Sequence, residues 1–100
     1  MIRVSKTFTR QSARNLWWYE TPRGAEHLAY RTATYGSKIS EPISESSPDQ
    51  LTRIYSVNWS SQEDWNAMMV DPIIIAGLDA RNTYYSQNGS TSTTPEIRNI

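Results

Sequence analysis

Two pairs of residues, Thr21-Pro22 and Asp71-Pro72, constrain this chain more than any other feature. In each pair an oxygen-bearing side chain can accept from an orphan amide of a first helical turn, and the proline sits where an amide would have no partner. Helices therefore begin at these two points, and the remaining elements must be arranged around them. The first helix is expected to run to about Tyr35, with Ala25, Leu28, Ala29, Thr32 and Tyr35 as its inward stripe and Gly36 as a left-handed stop. The second is expected to run through Tyr85 and end near Asn88-Gly89. On it, Ile74, Leu78, Arg81 and Tyr85 form one line and Ile73, Ala76, Ala80 and Tyr84 the next, a broad surface for burial on a sheet. Just ahead, Ser60-Ser61-Gln62-Glu63 reads as a capping box that opens a short helix with Trp65, Met68 and Met69 on one side.

The other segments alternate with the period of strands. Ile2, Val4, Lys6 and Phe8 fall opposite Arg3, Ser5, Thr7 and Thr9. Lys38 to Ser44 and Leu51 to Trp59 read as two more strands, joined by the turn residues Ser46-Ser47-Pro48-Asp49 into an antiparallel hairpin, with Pro42 marking an edge or a bulge. Arg10 to Glu20 fits neither period and reads as a connector that packs its aromatics on something. The Ser/Thr run after Ser90 has the composition of a tail, yet Pro95 to Ile100 alternates like a short strand. The resulting order is that of a ferredoxin-like α+β sandwich, an antiparallel sheet with helices on one face. We expect one domain, 1–100, in which 90–100 is a C-terminal strand or a tail held by a partner.

Composition then removes whole classes of chemistry. The chain has 100 residues, ten Lys and Arg against ten Asp and Glu, one His and no Cys. Thiol catalysis and thiolate metal sites are excluded, and one imidazole cannot build a multi-histidine centre, so no metal is expected; we expect no cofactor either. Zero net charge removes long-range attraction to nucleic acid or to an anionic membrane. The start, MIRVSKTFTR, lacks an apolar core segment, so no secretory signal is expected. No phosphate-binding glycine loop or nucleophile elbow occurs.

The segments Trp59-Ser60-Ser61-Gln62-Glu63-Asp64-Trp65, Asp71-Pro72, and Ala80-Arg81-Asn82-Thr83-Tyr84-Tyr85 through Asn88-Gly89 resemble the second half of the dimeric α/β-barrel superfamily, which includes the antibiotic-biosynthesis monooxygenase-like domains. The likeness covers Leu51 to Ile100 and extends to the first half through element order. The chain also resembles small proteins of tailed phages, including cyanophages. The superfamily resemblance implies two protomers packed sheet against sheet, often with an exchanged C-terminal strand. It further implies a pocket between helix and sheet where an Asn, a Trp and often a His hold an oxidisable substrate or haem. Registered on Asp71, the haem anchors fall at Ala67 and Gly77, which argues against haem.

Two readings from different classes follow. In the first, the chain is a non-catalytic, self-associating structural or interaction protein, phage-encoded and a possible virion component, residing in a host cytoplasm or a virion. Its contacts would be Trp17, Trp18 and Tyr19 on the connector, with Ile97 and Ile100 on the last strand; its partners would be further copies or other virion proteins, with no membrane. In the second, it is a cofactor-independent monooxygenase-like enzyme or a small aromatic-ligand binder, using Tyr55, Asn58, Trp65, Tyr84 and His27. Core packing accounts for Trp65, and a solvent-facing or structurally bonded imidazole for His27, without chemistry. A third reading, single-stranded nucleic-acid binding, rests on Arg3, Lys6, Arg10 and Arg14 beside the aromatics, but alternation sends Arg3 and Lys6 to opposite faces.

Overall fold

The computed structural model describes every residue from Met1 to Ile100. Five strands and three helices follow one another as β1 (Ile2–Thr9), α1 (Pro22–Tyr35), β2 (Ile43–Ser46), β3 (Thr52–Trp59), α2 (Gln62–Met69), α3 (Pro72–Gln87), β4 (Thr91–Ser92) and β5 (Glu96–Asn99). The sheet is antiparallel in the order β2-β3-β1-β4, and β5 extends the same edge by pairing with β1. This is the ferredoxin-like arrangement, with the C-terminal strand pairing inside its own chain.

Both proline-led starts form. Thr21 accepts from the Gly24 amide at 3.2 Å, and Asp71 Oδ1 accepts from the Ile73 amide at 2.9 Å. Asp71 does more than cap: its Oδ2 accepts from the hydroxyls of Tyr30 at 2.7 Å and Tyr35 at 2.6 Å, which ties α1 to the head of α3. Those two phenols, Tyr35 foremost, hold its carboxyl below the usual carboxylate range. The short helix begins one residue later than its capping pattern suggested, because Ser61 caps it and the hydroxyl of Ser60 donates to Asp64 instead.

The two sheet faces differ in kind. Register pairs Ile2 with Trp59, Val4 with Val57, Lys6 with Tyr55 and Phe8 with Arg53, so these share the helix-covered face. The other face carries Arg3, Ser5, Ser56 and Asn58, which satisfy one another: Arg3 Nε donates to Asn58 Oδ1 at 2.8 Å, and the hydroxyls of Ser5 and Ser56 lie 2.8 Å apart. Under the helices two apolar clusters form. Ile2, Val57, Trp59, Met68 and Ile74 make one, and Phe8, Trp17, Trp18 and Tyr85 the other. Each large apolar side chain buried there contributes roughly 1.5–3 kcal/mol.

Several expectations are corrected. The inward stripe of α1 is Gly24, His27 and Arg31 in place of the Ala25 line, because Gly24 must lie against the Trp18 carbonyl, where a Cβ would stand 1.9 Å from the oxygen. Gly36 is right-handed, at φ −57°, and leads into a short 3-10 turn through Lys38. That turn delays the second strand to Ile43, leaving Ile39 a single bridge to Trp59. The second apolar line of α3 is only partly covered, since Ile73 is 55% exposed. Trp17 and Trp18, each 2% exposed, are core residues and cannot be an outward contact surface. Trp17 is enclosed by Arg10 and Arg53, whose guanidinium carbons stand 4.2 and 5.0 Å from its ring centroid.

β4 and β5 pair with β1 one residue out of step: Phe8 faces Ser92, whereas Ser5 faces Glu96. The extra residue makes a bulge around Thr93. Thr93 clamps it, since its amide donates to the Thr7 carbonyl at 3.0 Å and its hydroxyl accepts from the Thr7 amide at 3.1 Å, while its carbonyl accepts from the Lys6 ammonium. Pro95, beyond the bulge, comes to lie at the rim of the site described next.

Candidate functional site

Between the two apolar clusters the covered face is not filled. A cavity of about 90 Å³ lies over the middle of β1 and β3, roofed by the three helices. Its apolar wall is Val4, Val57, Trp65 and Leu78, with Tyr19 and Tyr55 as an aromatic floor. The two tyrosine rings stack, centroids 4.8 Å apart and 13° from parallel. A fully enclosed dry cavity that takes benzene measures roughly 150 Å³. The space therefore suits one small ring that leaves part of itself toward solvent, and a porphyrin does not fit.

The polar lining has one sign. Lys6, Arg31 and Arg81 border the cavity and no carboxylate does. Arg31 is 7% and Arg81 8% exposed, and neither forms an ion pair. Phenols hold both: Arg31 Nη2 donates to the Tyr55 hydroxyl at 2.9 Å, and Arg81 Nη1 to the Tyr19 hydroxyl at 3.2 Å. Burying a cation without an opposite charge costs several kcal/mol, and three of them give the cavity a positive potential that favours an anion. The effect reaches Lys6, whose ammonium is pushed below its usual value by burial and then by Arg81.

His27 completes the polar set. It is 4% exposed, and its Nδ1 would lie 2.1 Å from a Cβ on residue 77, so Gly77 is the only residue that lets the imidazole sit there. Burial, followed by Arg31, Arg81 and Arg23, pushes its pKa down to about 4, and no hydrogen bond contributes to that shift. The ring is thus neutral at pH 7. Burial also raises the Tyr55 phenol, and the Arg31 cation partly offsets the rise.

Of the sequence-derived candidates, Tyr55, Trp65 and His27 meet in this cavity. Asn58 does not: it belongs to the opposite face, bonded to Arg3. Tyr84 does not either, because its hydroxyl donates to the Leu16 carbonyl at 2.6 Å and closes the aromatic end. His27 is buried at the cavity wall rather than facing solvent. Tyr19 stacks on the floor, and Ile97 and Ile100 lie exposed along the β5 edge, Ile97 opposite Val4. Arg31, Arg81 and Lys6 were missed as a set. Their signal was a cation on an otherwise inward stripe: Arg31 four residues after His27, Arg81 in line with Ile74, and Lys6 between Val4 and Phe8. No three His, Cys, Asp or Glu side chains gather anywhere to hold a metal ion, and no helix is long and apolar enough to cross a membrane.

No family model and no curated protein matches the chain. Solved structures do. SnoaB, a cofactor-independent oxygenase from Streptomyces nogalater, superposes with a TM-score of 0.65 over 99% of this chain and 91% of its own, at 12% identity. An asparagine-to-alanine variant of SnoaB gives 0.63 over the same shares at 14% identity. A Deinococcus radiodurans protein described as a candidate antibiotic biosynthesis monooxygenase gives 0.61 over 100% of this chain and 92% of its own, at 11% identity. The fold is that of the antibiotic-biosynthesis monooxygenase-like proteins. This overturns the expectation of a non-catalytic structural protein: the structures that share the fold are described as oxygenases, and the indoles that were to form its contact surface are interior. The phage and virion readings find no support in the comparison.

Proposed function

We propose that this chain is an oxygenase-type enzyme that binds a small acidic aromatic molecule as its anion in the helix–sheet cavity. The observation that carries the reading is the aromatic cavity lined by Lys6, Arg31 and Arg81 with no carboxylate. An oxygenation without a bound cofactor needs a substrate that reduces dioxygen itself, and a phenolate does so far more readily than a phenol. Balanced, a phenol C–H carbon takes one oxygen atom of O₂ to become a quinone carbonyl, and the other oxygen leaves as water.

Magnitudes assign the roles. Moving a proton from a phenol of pKa about 10 to an imidazole of pKa about 4 is uphill by about 8 kcal/mol. His27 is therefore a hydrogen-bonding partner that orients the ring, and the cations make the anion accessible. As the anion forms between Arg31 and Arg81, its own pKa falls and that of His27 rises, which narrows the gap.

The test uses para-nitrophenol, whose phenolate is coloured. Binding is expected to lower its apparent pKa, and Arg81→Gln to weaken binding at least about tenfold, the cost of one charge-assisted contact. Hydroquinone is expected to give protein-dependent oxygen uptake that the same variant reduces. Failure of both compounds to bind, or preference for the neutral phenol, would remove the reading. Pairing of two copies through the uncovered sheet face is a second proposal, favoured by Ile43 and Ile54, which stand 38% and 39% exposed on it. A monomeric mass in sedimentation at micromolar concentration eliminates that pairing.

A further inference from the structure

Arg31 engages the floor of the cavity through one nitrogen alone. Its Nη2 is bonded to Tyr55, but its Nε–H is buried and has no acceptor anywhere in the chain. It stands between two spaces, since it borders both the aromatic cavity and a smaller polar one of about 80 Å³ edged by Thr32, Ser40 and Glu41. Glu41 is exposed and forms no ion pair with it. The unspent donor thus has no internal explanation.

Charge counting points the same way. A bound phenolate supplies one negative charge against three lining cations. Arg81 and Arg31 hang from the hydroxyls of neighbouring stacked rings, Tyr19 and Tyr55, and both line the same cavity. We infer that the ligand carries a second acidic group, a carboxylate, and that Arg31 is the residue that receives it, which makes the substrate a hydroxylated aromatic acid. A planar carboxylate matches the flat guanidinium and adds little volume to the single ring that the cavity admits. This inference rests on the reading of the cavity as a site for aromatic anions and adds the substrate class and the residue that selects it.

The experiment compares hydroquinone with gentisate, which is hydroquinone bearing a carboxylate, by quenching of intrinsic fluorescence in the full chain. Gentisate is expected to bind at least about tenfold tighter. Arg31→Gln should bring the two within about twofold of each other, and Arg31→Lys should keep part of the preference. Equal affinity of the unmodified protein for both compounds overturns the carboxylate assignment and leaves the aromatic site standing. A gentisate preference that survives Arg31→Gln overturns the role of Arg31. Failure of both compounds to bind overturns the site and this inference together. The comparison in the unmodified chain and the Arg31→Lys variant keep the outcome readable if Arg31→Gln folds poorly.

Discussion

The covered face of the sheet closes differently at its two ends. At one end Ile2, Val57, Trp59, Met68 and Ile74 interdigitate, and regular strands and helices supply all of them. At the other, Phe8 and Tyr85 meet Trp17 and Trp18 from a connector outside the main helices, and polar atoms fix the join. The Trp18 amide donates to the Tyr85 hydroxyl at 3.0 Å, and Tyr84 holds the Leu16 carbonyl. Burial above all pushes the Tyr85 phenol up to about 12. The first end is held by shape, which tolerates modest repacking. The second is held by large rings with a few required hydrogen bonds, and it fixes the floor of the cavity between them.

The largest expected effect is at the aromatic end. Trp18→Ala should cost about 4 kcal/mol and Ile74→Ala about 3 kcal/mol, both read from urea unfolding. A smaller loss for Trp18→Ala than for Ile74→Ala would show that the connector contributes less than the regular elements. Next comes Gly77→Ala, which drives a methyl group into the His27 ring and should cost about 2 kcal/mol by overpacking. Adding His27→Ala to Gly77→Ala should recover most of that loss, and additive losses would break the assigned contact.

The pH dependence is smaller. The folded pKa of His27 lies near 4 against an ordinary 6.5, so below pH 6.5 the unfolded chain takes the proton more readily than the folded one. Stability should be full above about pH 7 and decline as pH falls from 6.5 toward 4, by on the order of 2 kcal/mol from this group. His27→Gln should flatten that limb of the curve, and an unchanged slope would contradict the burial of a neutral imidazole. The smallest effect is on the open face. Asn58→Ala should cost about 1 kcal/mol of stability through the lost bond from Arg3 and leave para-nitrophenol binding within about twofold. A large loss of binding would mean that Asn58 reaches the ligand after all.

Much of the fold was legible because local rules and tertiary packing agree. Thr21-Pro22 and Asp71-Pro72 start helices, Ile2 to Thr9 alternates, and Gly89 at φ +67° ends α3 near where the Asn88-Gly89 pair marked it. Where they disagree, the sequence misled. Ala25 and Leu28 look like the inward side of α1, yet the close approach of Gly24 to Trp18 rotates the helix and turns His27 and Arg31 inward. The site was half legible for the same reason. Trp65, Tyr55 and His27 could be named as aromatic and imidazole candidates. The face on which Asn58 lies depends on register, and the role of Arg31 depends on the rotation of α1.

By itself the sequence determined where the helices start, that Ile2 to Thr9 and Leu51 to Trp59 hold strands, and that thiols and clustered imidazoles play no part. Those properties depend on a few neighbouring residues. Only the tertiary structure decided that Lys6, Arg31 and Arg81, from a strand and two separate helices, converge on one cavity with no carboxylate among them. That convergence depends on how each element is rotated when its largest side chains find room, and such a packing result is not encoded at any single position.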